Sequence, residues 1–192
     1  MSGVIDCLNT RSSYSEGKRI VECLCASYAA EYGVPVKIAR LTQVFGPGVS
    51  YSDNRVFAQF ARSVIEKKNI ILKTEGDTLR NYCYITDAIK ALLVILLKGS
   101  SGEAYNIANM KTAISIAEMA QLVVDLFPES NSKVVFDIVD DIGKLGYNST
   151  VKICLDSSKL QQLGWEAKID LKEMFRKLVS SMKNEIFSSK GL

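Results

Sequence analysis

The sequence predicts an α/β fold with mainly parallel strand pairing. Strand-like runs and helical patterns alternate along the whole chain, as they do in βαβ construction. The run Val36–Leu41 is short and mostly apolar, which suits a strand covered on both faces. Of the 192 residues 47% are apolar, enough for a packed core in one domain or a little more.

The elements follow in order. Residues 1–12 show no periodicity and read as an irregular approach. From Tyr14 to about Glu31, Val21, Leu24, Cys25 and Tyr28 recur at three- and four-residue spacing, predicting a helix. Gly33 stops it and Pro35 follows. After the Val36–Leu41 strand, Phe45-Gly46-Pro47-Gly48 makes a turn, and residues 50–54 a polar loop. A helix is expected from Arg55 to about Lys67, with Val56, Phe60 and Val64 on one face. Strands are expected over Asn69–Lys73 and Tyr82–Ile85. Thr86 or Asp87 is expected to cap a very apolar helix running to about Lys98, where Gly99 ends it. Its all-round hydrophobicity predicts burial on more than one side. Ala104–Ile107 reads as a strand. Ser115-Ile116-Ala117-Glu118 matches a capping box and opens a helix to about Phe127. Val134–Ile138 is a strand and Asp140–Thr150 a loop. Asp156 caps a short helix to about Leu163, and Leu171 to about Phe187 is a terminal amphipathic helix.

Composition narrows the function classes. A net charge of +3, with no basic block, disfavours nucleic acid as a partner. Cys7, Cys23, Cys25, Cys83 and Cys154 form no Cys-x-x-Cys pair, and the chain has no His, so a zinc site of the usual kind is not expected. The cysteines read as reduced thiols of a cytoplasmic, soluble protein. The longest apolar run, Ala91–Leu97, is too short to span a bilayer. Without His, Ser–His and Cys–His catalysis are excluded within this chain. Acid–base work falls to Tyr, Lys, Asp or Glu.

Ser13-Tyr14-Ser15-Glu16-Gly17-Lys18-Arg19 places Tyr14 and Lys18 one helical turn apart. An ammonium beside a phenol favours the phenolate, so the pair can accept a proton near neutral pH. The spacing alone is common. Its weight comes from the order that follows: Ala39-Arg40-Leu41-Thr42-Gln43-Val44-Phe45-Gly46-Pro47-Gly48, then Leu79-Arg80-Asn81-Tyr82-Cys83-Tyr84-Ile85-Thr86-Asp87, then Gly102-Glu103-Ala104-Tyr105-Asn106-Ile107, then Leu163-Gly164-Trp165. In that order the motifs resemble the extended short-chain dehydrogenase/reductase family, the nucleotide-sugar epimerases, dehydratases and decarboxylases. The run from Tyr14 through Val21-Glu22 looks most like the UDP-glucuronate decarboxylase branch.

The resemblance implies a Rossmann-type fold with a small α/β substrate domain. It places the proton acceptor at Tyr14, with Lys18 steadying the phenolate and holding the nicotinamide ribose of NAD, preferred to NADP. Gly46 and Pro47 fall at the turn beside the phosphates. The substrate, a nucleotide-diphosphate sugar, would meet Gln43, Asn54, Arg55, Arg80 and Tyr105. Relatives usually carry Asn where this chain has Gln43. Arg80 suits a diphosphate because its fork of donors bonds two oxygens at once. Asp87 reads as a helix cap, and Leu163-Gly164-Trp165 as structural. A homodimer through the Tyr14–Glu31 helix is also implied.

No Gly-x-Gly-x-x-Gly or Gly-x-x-Gly-x-x-Gly occurs, so the phosphate turn that NAD needs is missing, as is the strand that carries the catalytic Ser or Thr. The chain is therefore expected to be a C-terminal portion, inactive alone. Residues 1–47 would end the dinucleotide-binding domain, and 48–192 would be mainly substrate domain, with 80–98 packing back on the Rossmann sheet. An uncovered sheet edge and bare apolar helix faces are expected to follow. The alternative is a non-catalytic nucleotide-sugar-binding or interaction remnant.

Overall fold

The structure is a computed structural model that describes residues 8–9, 12–139 and 151–190. The loop expected over 140–150, most of the approach segment and Cys7 lie outside the described residues.

Helix α1 spans Ser13–Tyr32 and stops at Gly33, whose φ of 64° is left-handed backbone that glycine takes without strain. None of its residues is buried, and Val21, Leu24 and Tyr28, which set its period, face solvent. The helix is tied to strand β1 (Ile38–Leu41) by an ion pair. Arg40 Nε donates to Glu22 Oε1 at 2.8 Å, and its Nη2 bonds the other oxygen. This pairing holds the Glu22 carboxyl below the usual carboxylate range.

Strand β2 (Gln43–Phe45) follows β1 after a single residue, and at that residue the chain changes sheets. β1 lies parallel to β5 (Ala104–Ile107), and the Thr42 N–H still donates to Ile107 O at 3.0 Å. β2 lies parallel to β4 (Leu79–Tyr84), in the register Gln43 to Tyr82, Val44 to Cys83 and Phe45 to Tyr84. The far edge of β4 carries antiparallel β6 (Asn109–Ser115), and the start of β4 also takes parallel β8 (Lys152–Ile153). A separate parallel pair joins β3 (Ile70–Leu72) to β7 (Val134–Phe136).

Two cores flank the β2–β4 pair, because successive side chains alternate between its faces. On one face Phe45, Tyr82 and Tyr84 join α2 (Val56–Ile65), α4 (Ile116–Leu126) and α6 (Leu171–Lys190), packed through Phe57, Phe60, Met119, Val123, Met174, Phe175 and Leu178. On the other face Cys83, with Val44 beside it, joins α3 (Ile85–Lys98), β5, the short helix α5 (Ser158–Gln161) and Trp165. Burial there pushes the Cys83 thiol up to about 12, so it packs as a small apolar group.

The capping box forms as expected: Ser115 Oγ accepts from the Glu118 N–H at 3.2 Å, and Glu118 Oε2 from the Ser115 N–H at 2.9 Å. Asp156 Oδ1 accepts from the Ser158 N–H at 2.8 Å, satisfying the start of α5. Asp87 departs from the cap expected of it. α3 starts earlier, at Ile85, with Tyr84 at the cap position and no side-chain cap. Asp87 is instead fully buried, and its Oδ2 accepts from the N–H groups of Lys168 and Ile169 at 2.9 and 3.0 Å.

α3 also departs from all-round burial. Asp87, Ala88, Ala91 and Ile95 are buried, but Ile89, Leu93, Leu96 and Leu97 are exposed. Among the described residues β1 pairs with β5 alone, and Leu41 at its end is exposed. Ala39 packs toward the second core while its neighbour Arg40 reaches α1. The two helices therefore lie on opposite faces of β1, each with an apolar stripe in solvent, around an edge that is unpaired among the described residues. This is the uncovered edge and pair of bare helix faces that the sequence implies.

Candidate functional site

β2 is too short to pair for long, yet it positions the site. Phe45 anchors it by stacking on Phe57 with ring centroids 4.5 Å apart. The next residue, Gly46, is buried so closely that a Cβ there would stand 2.8 Å from side-chain atoms of both Ile85 and Tyr84. Only glycine fits without displacing one of them. From this point the chain turns over a cleft of about 310 Å³ lined by residues 44–50 with Asp53, Arg55 and Ile85. Two ties to α6 fix the loop: the Gly48 N–H donates to Ser181 Oγ at 3.2 Å, and the Tyr51 N–H to Glu185 Oε2 at 3.0 Å.

Gly46, Pro47 and Arg55 thus meet at one cleft. The Arg55 guanidinium is engaged there, forked onto Asp53 with contacts of 2.6 to 3.1 Å and lying 4.8 Å from the Phe57 ring centroid. Arg55 in turn holds the Asp53 carboxyl below its ordinary range. Sequence reasoning missed Asp53; its spacing two residues before Arg55 was the available signal. Asn54 is exposed, and its carbonyl accepts from Gln59 Nε2 at 2.6 Å.

Gln43 and Arg80 lie on the sheet face that Phe45 and Tyr82 share, since Gln43 is in register with Tyr82 and Arg80 stands two residues before it. Both are half-buried. The Arg80 guanidinium forms no hydrogen bond or ion pair among the described residues. Its charge is felt by the Tyr82 hydroxyl, which burial nonetheless pushes up to about 12.

Tyr14 is exposed at the start of α1, and Lys18 Nζ lies 5.6 Å from its ring centroid, so the two share a face as their spacing requires. Among the described residues no hydrogen bond or ion pair joins them to the cleft. Tyr105 is also placed elsewhere. It is buried in the second core, and its hydroxyl accepts from the Ser100 N–H at 2.9 Å, a structural role away from the cleft. Among the described residues no three His, Cys, Asp or Glu side chains cluster as a metal site would require, and no helix is long and apolar enough to cross a membrane.

Solved structures with a Rossmann-type fold share this architecture. A crystal structure of UDP-glucose 4-epimerase from Thermotoga maritima, solved with UDP-glucose, superposes with a TM-score of 0.79 at 23% identity, covering 90% of this chain and 54% of that one. A dTDP-glucose 4,6-dehydratase from Bacillus anthracis in complex with NAD superposes with a TM-score of 0.74. In sequence, UDP-glucuronic acid decarboxylase 1 of Arabidopsis thaliana is 30% identical over 195 residues, 99% of this chain and 42% of that protein. Human dTDP-D-glucose 4,6-dehydratase is 30% identical over 166 residues, 86% of this chain and 46% of that protein. The chain spans about half the length of these curated relatives. The pattern of the NAD dependent epimerase/dehydratase family matches residues 3–108, more than half of the 192, and the chain belongs to that family.

Proposed function

We propose that this chain supplies the nucleotide-sugar-binding face and the Tyr14–Lys18 acid–base pair of an NAD-dependent enzyme of the epimerase, 4,6-dehydratase or decarboxylase type. The observation that carries the reading is Arg80, a half-buried guanidinium on strand β4 with no anion to pair with it among the described residues. Leaving a cation partly desolvated is costly unless a ligand pays it back, and a diphosphate matches its fork of donors.

In this reading Tyr14 accepts the proton from a sugar hydroxyl, and the Lys18 ammonium favours the phenolate that does so. The residues present fit the nicotinamide end of NAD through Tyr14 and Lys18. The glycine-rich turn that cradles its pyrophosphate in a Rossmann unit does not occur in the 192 residues. NAD, when bound, supplies the hydride acceptor. We assign the second core, around β1, α3 and β5, to the dinucleotide side and the first core to the substrate side. The missing glycine turn also favours a second reading for the chain acting by itself, a module that binds nucleotide sugar without turnover.

Titration with UDP tests the assignment. UDP is expected to raise the melting temperature of the chain, and Arg80→Ala to weaken UDP binding about 10- to 100-fold, the worth of a hydrogen-bonded charged group. A wild-type chain whose melting temperature is unmoved by millimolar UDP sinks the proposal. Turnover with added NAD separates the enzyme from the binding module. The stripe of Val21, Leu24 and Tyr28 on α1 also supports a homodimer through that helix. Analytical ultracentrifugation should find a dimer that Leu24→Glu dissociates; sedimentation only as a monomer counts against it.

A further inference from the structure

Beside Arg80, two buried polar atoms have no hydrogen-bond partner among the described residues: the Tyr82 hydroxyl and Gln43 Oε1. They belong to register partners on adjacent parallel strands and point from the same sheet face. Tyr82 is wholly buried, and its ring is fixed edge-on to Phe45 at 5.8 Å and 77°. Buried polar atoms are rarely left unpaired, and a phenylalanine here would pack as well without the unmet hydroxyl.

The chemistry of the pair is complementary. The Tyr82 O–H donates and the Gln43 carbonyl oxygen accepts. A group that satisfies both at once must itself accept and donate, as a hydroxyl does. A phosphate oxygen only accepts, and an ammonium only donates. We propose that Tyr82 and Gln43 together hold a sugar hydroxyl of the nucleotide-diphosphate sugar whose diphosphate Arg80 takes, making Tyr82 a specificity-determining residue. The proposal rests on the ligand class assigned above and adds a residue to its site. The Arg80 charge lies near enough to act on the Tyr82 hydroxyl. Arg80 and Gln43 are the half-buried members of the face, and Tyr82 lies beneath them.

The test compares UDP, UDP-glucose and dTDP-glucose on the wild-type chain and on Tyr82→Phe, by calorimetry and by melting temperature without ligand. At least one sugar nucleotide should bind the wild type more tightly than UDP. Tyr82→Phe should weaken that sugar nucleotide about tenfold and leave UDP within twofold. Without ligand, Tyr82→Phe should melt at or above the wild-type temperature, because an unmet hydroxyl has been removed. Equal loss for UDP and sugar nucleotide, no loss for either, or no sugar nucleotide better than UDP overturns the proposal while the ligand class survives. A lower melting temperature without ligand also overturns it, since the hydroxyl then has a partner inside the protein. If UDP itself fails to bind the wild type, the ligand class falls and this inference with it.

Discussion

Phe45→Ala is expected to cost about 3–5 kcal/mol of folding stability, the range for truncating a fully buried aromatic. A domain of this size has only about 5–15 kcal/mol to lose. Three rings surround the Phe45 side chain: Phe57 stacked at 4.5 Å, Phe175 tilted at 5.1 Å and Tyr82 edge-on at 5.8 Å. The three come from α2, α6 and β4, so the void left by alanine has rigid walls on several sides and cannot collapse cheaply. The loss extends to the site, because Phe45 anchors the three-residue strand that carries Gln43 and leads into Gly46. UDP affinity should fall with stability in Phe45→Ala, and Phe45→Leu should recover most of both. Urea unfolding followed by circular dichroism measures the first quantity. A loss below about 1 kcal/mol would show that this ring cluster is not where the first core is held together.

Periodicity and capping chemistry made much of the molecule legible. α1, α2, α4 and α6 stand close to where their apolar spacing puts them, because a helix of ten residues or more repeats its signal several times. The Ser115–Glu118 box and the Gly33 stop encode local geometry in single residues, and both formed. β2 escaped because it opens on a polar Gln43 and its Phe45 reads as part of the Gly46-Pro47 turn, and β8 because two residues are too few to show a period. β6 escaped for a different reason: its buried positions are Asn109 and Thr112, so no apolar alternation marks it. Thr112 is buried there to bond the β4 backbone at a register shift, its Oγ1 accepting from the Tyr82 N–H at 2.8 Å. A side chain replacing a ladder bond leaves no pattern in sequence.

The candidate site divides along the same line. The i,i+4 spacing of Tyr14 and Lys18 guarantees their proximity on any helix, and Gly46 is the residue a tight approach demands. Arg80 was named through resemblance, and its lack of an ion pair among the described residues is a property of the tertiary structure. The pairing of Arg55 with Asp53 and the shared face of Gln43 and Tyr82 depend on loop conformation and strand register, which composition and spacing do not carry. Tyr105 shows the opposite case. Its strand motif reads equally well as packing or as ligand contact, and the side chain lies in the second core.

Asp87→Ala is the second substitution with a large expected effect, about 3–5 kcal/mol, although it touches no part of the cleft. The Asp87 carboxylate is 1% exposed and receives two main-chain N–H groups, those of Lys168 and Ile169. Hydrogen bonds to a charged group contribute about 1.5–3 kcal/mol each, and alanine leaves both donors without their acceptor. The same turn of α3 holds this stretch, residues 165–169 strapped between α5 and α6, by a further bond, from Trp165 Nε1 to the Asp87 carbonyl at 2.9 Å, which the substitution retains. The strap should therefore loosen at residues 168–169 before it detaches at Trp165. Asp87→Asn discriminates bond loss from charge loss, since its amide oxygen can accept from both N–H groups and its NH₂ replaces Oδ1, which has no partner among the described residues. Its cost should be roughly 1–2 kcal/mol, the difference between neutral and charged acceptors. Hydrogen exchange at the Lys168 and Ile169 amides, with urea unfolding of both variants, measures the two effects separately. Faster exchange at these amides in Asp87→Ala, with protection largely kept in Asp87→Asn, is the expected result. Equal protection in wild type and Asp87→Ala would mean that the C-terminal strap is held by Trp165 and its neighbours, and that the buried carboxylate does not latch it.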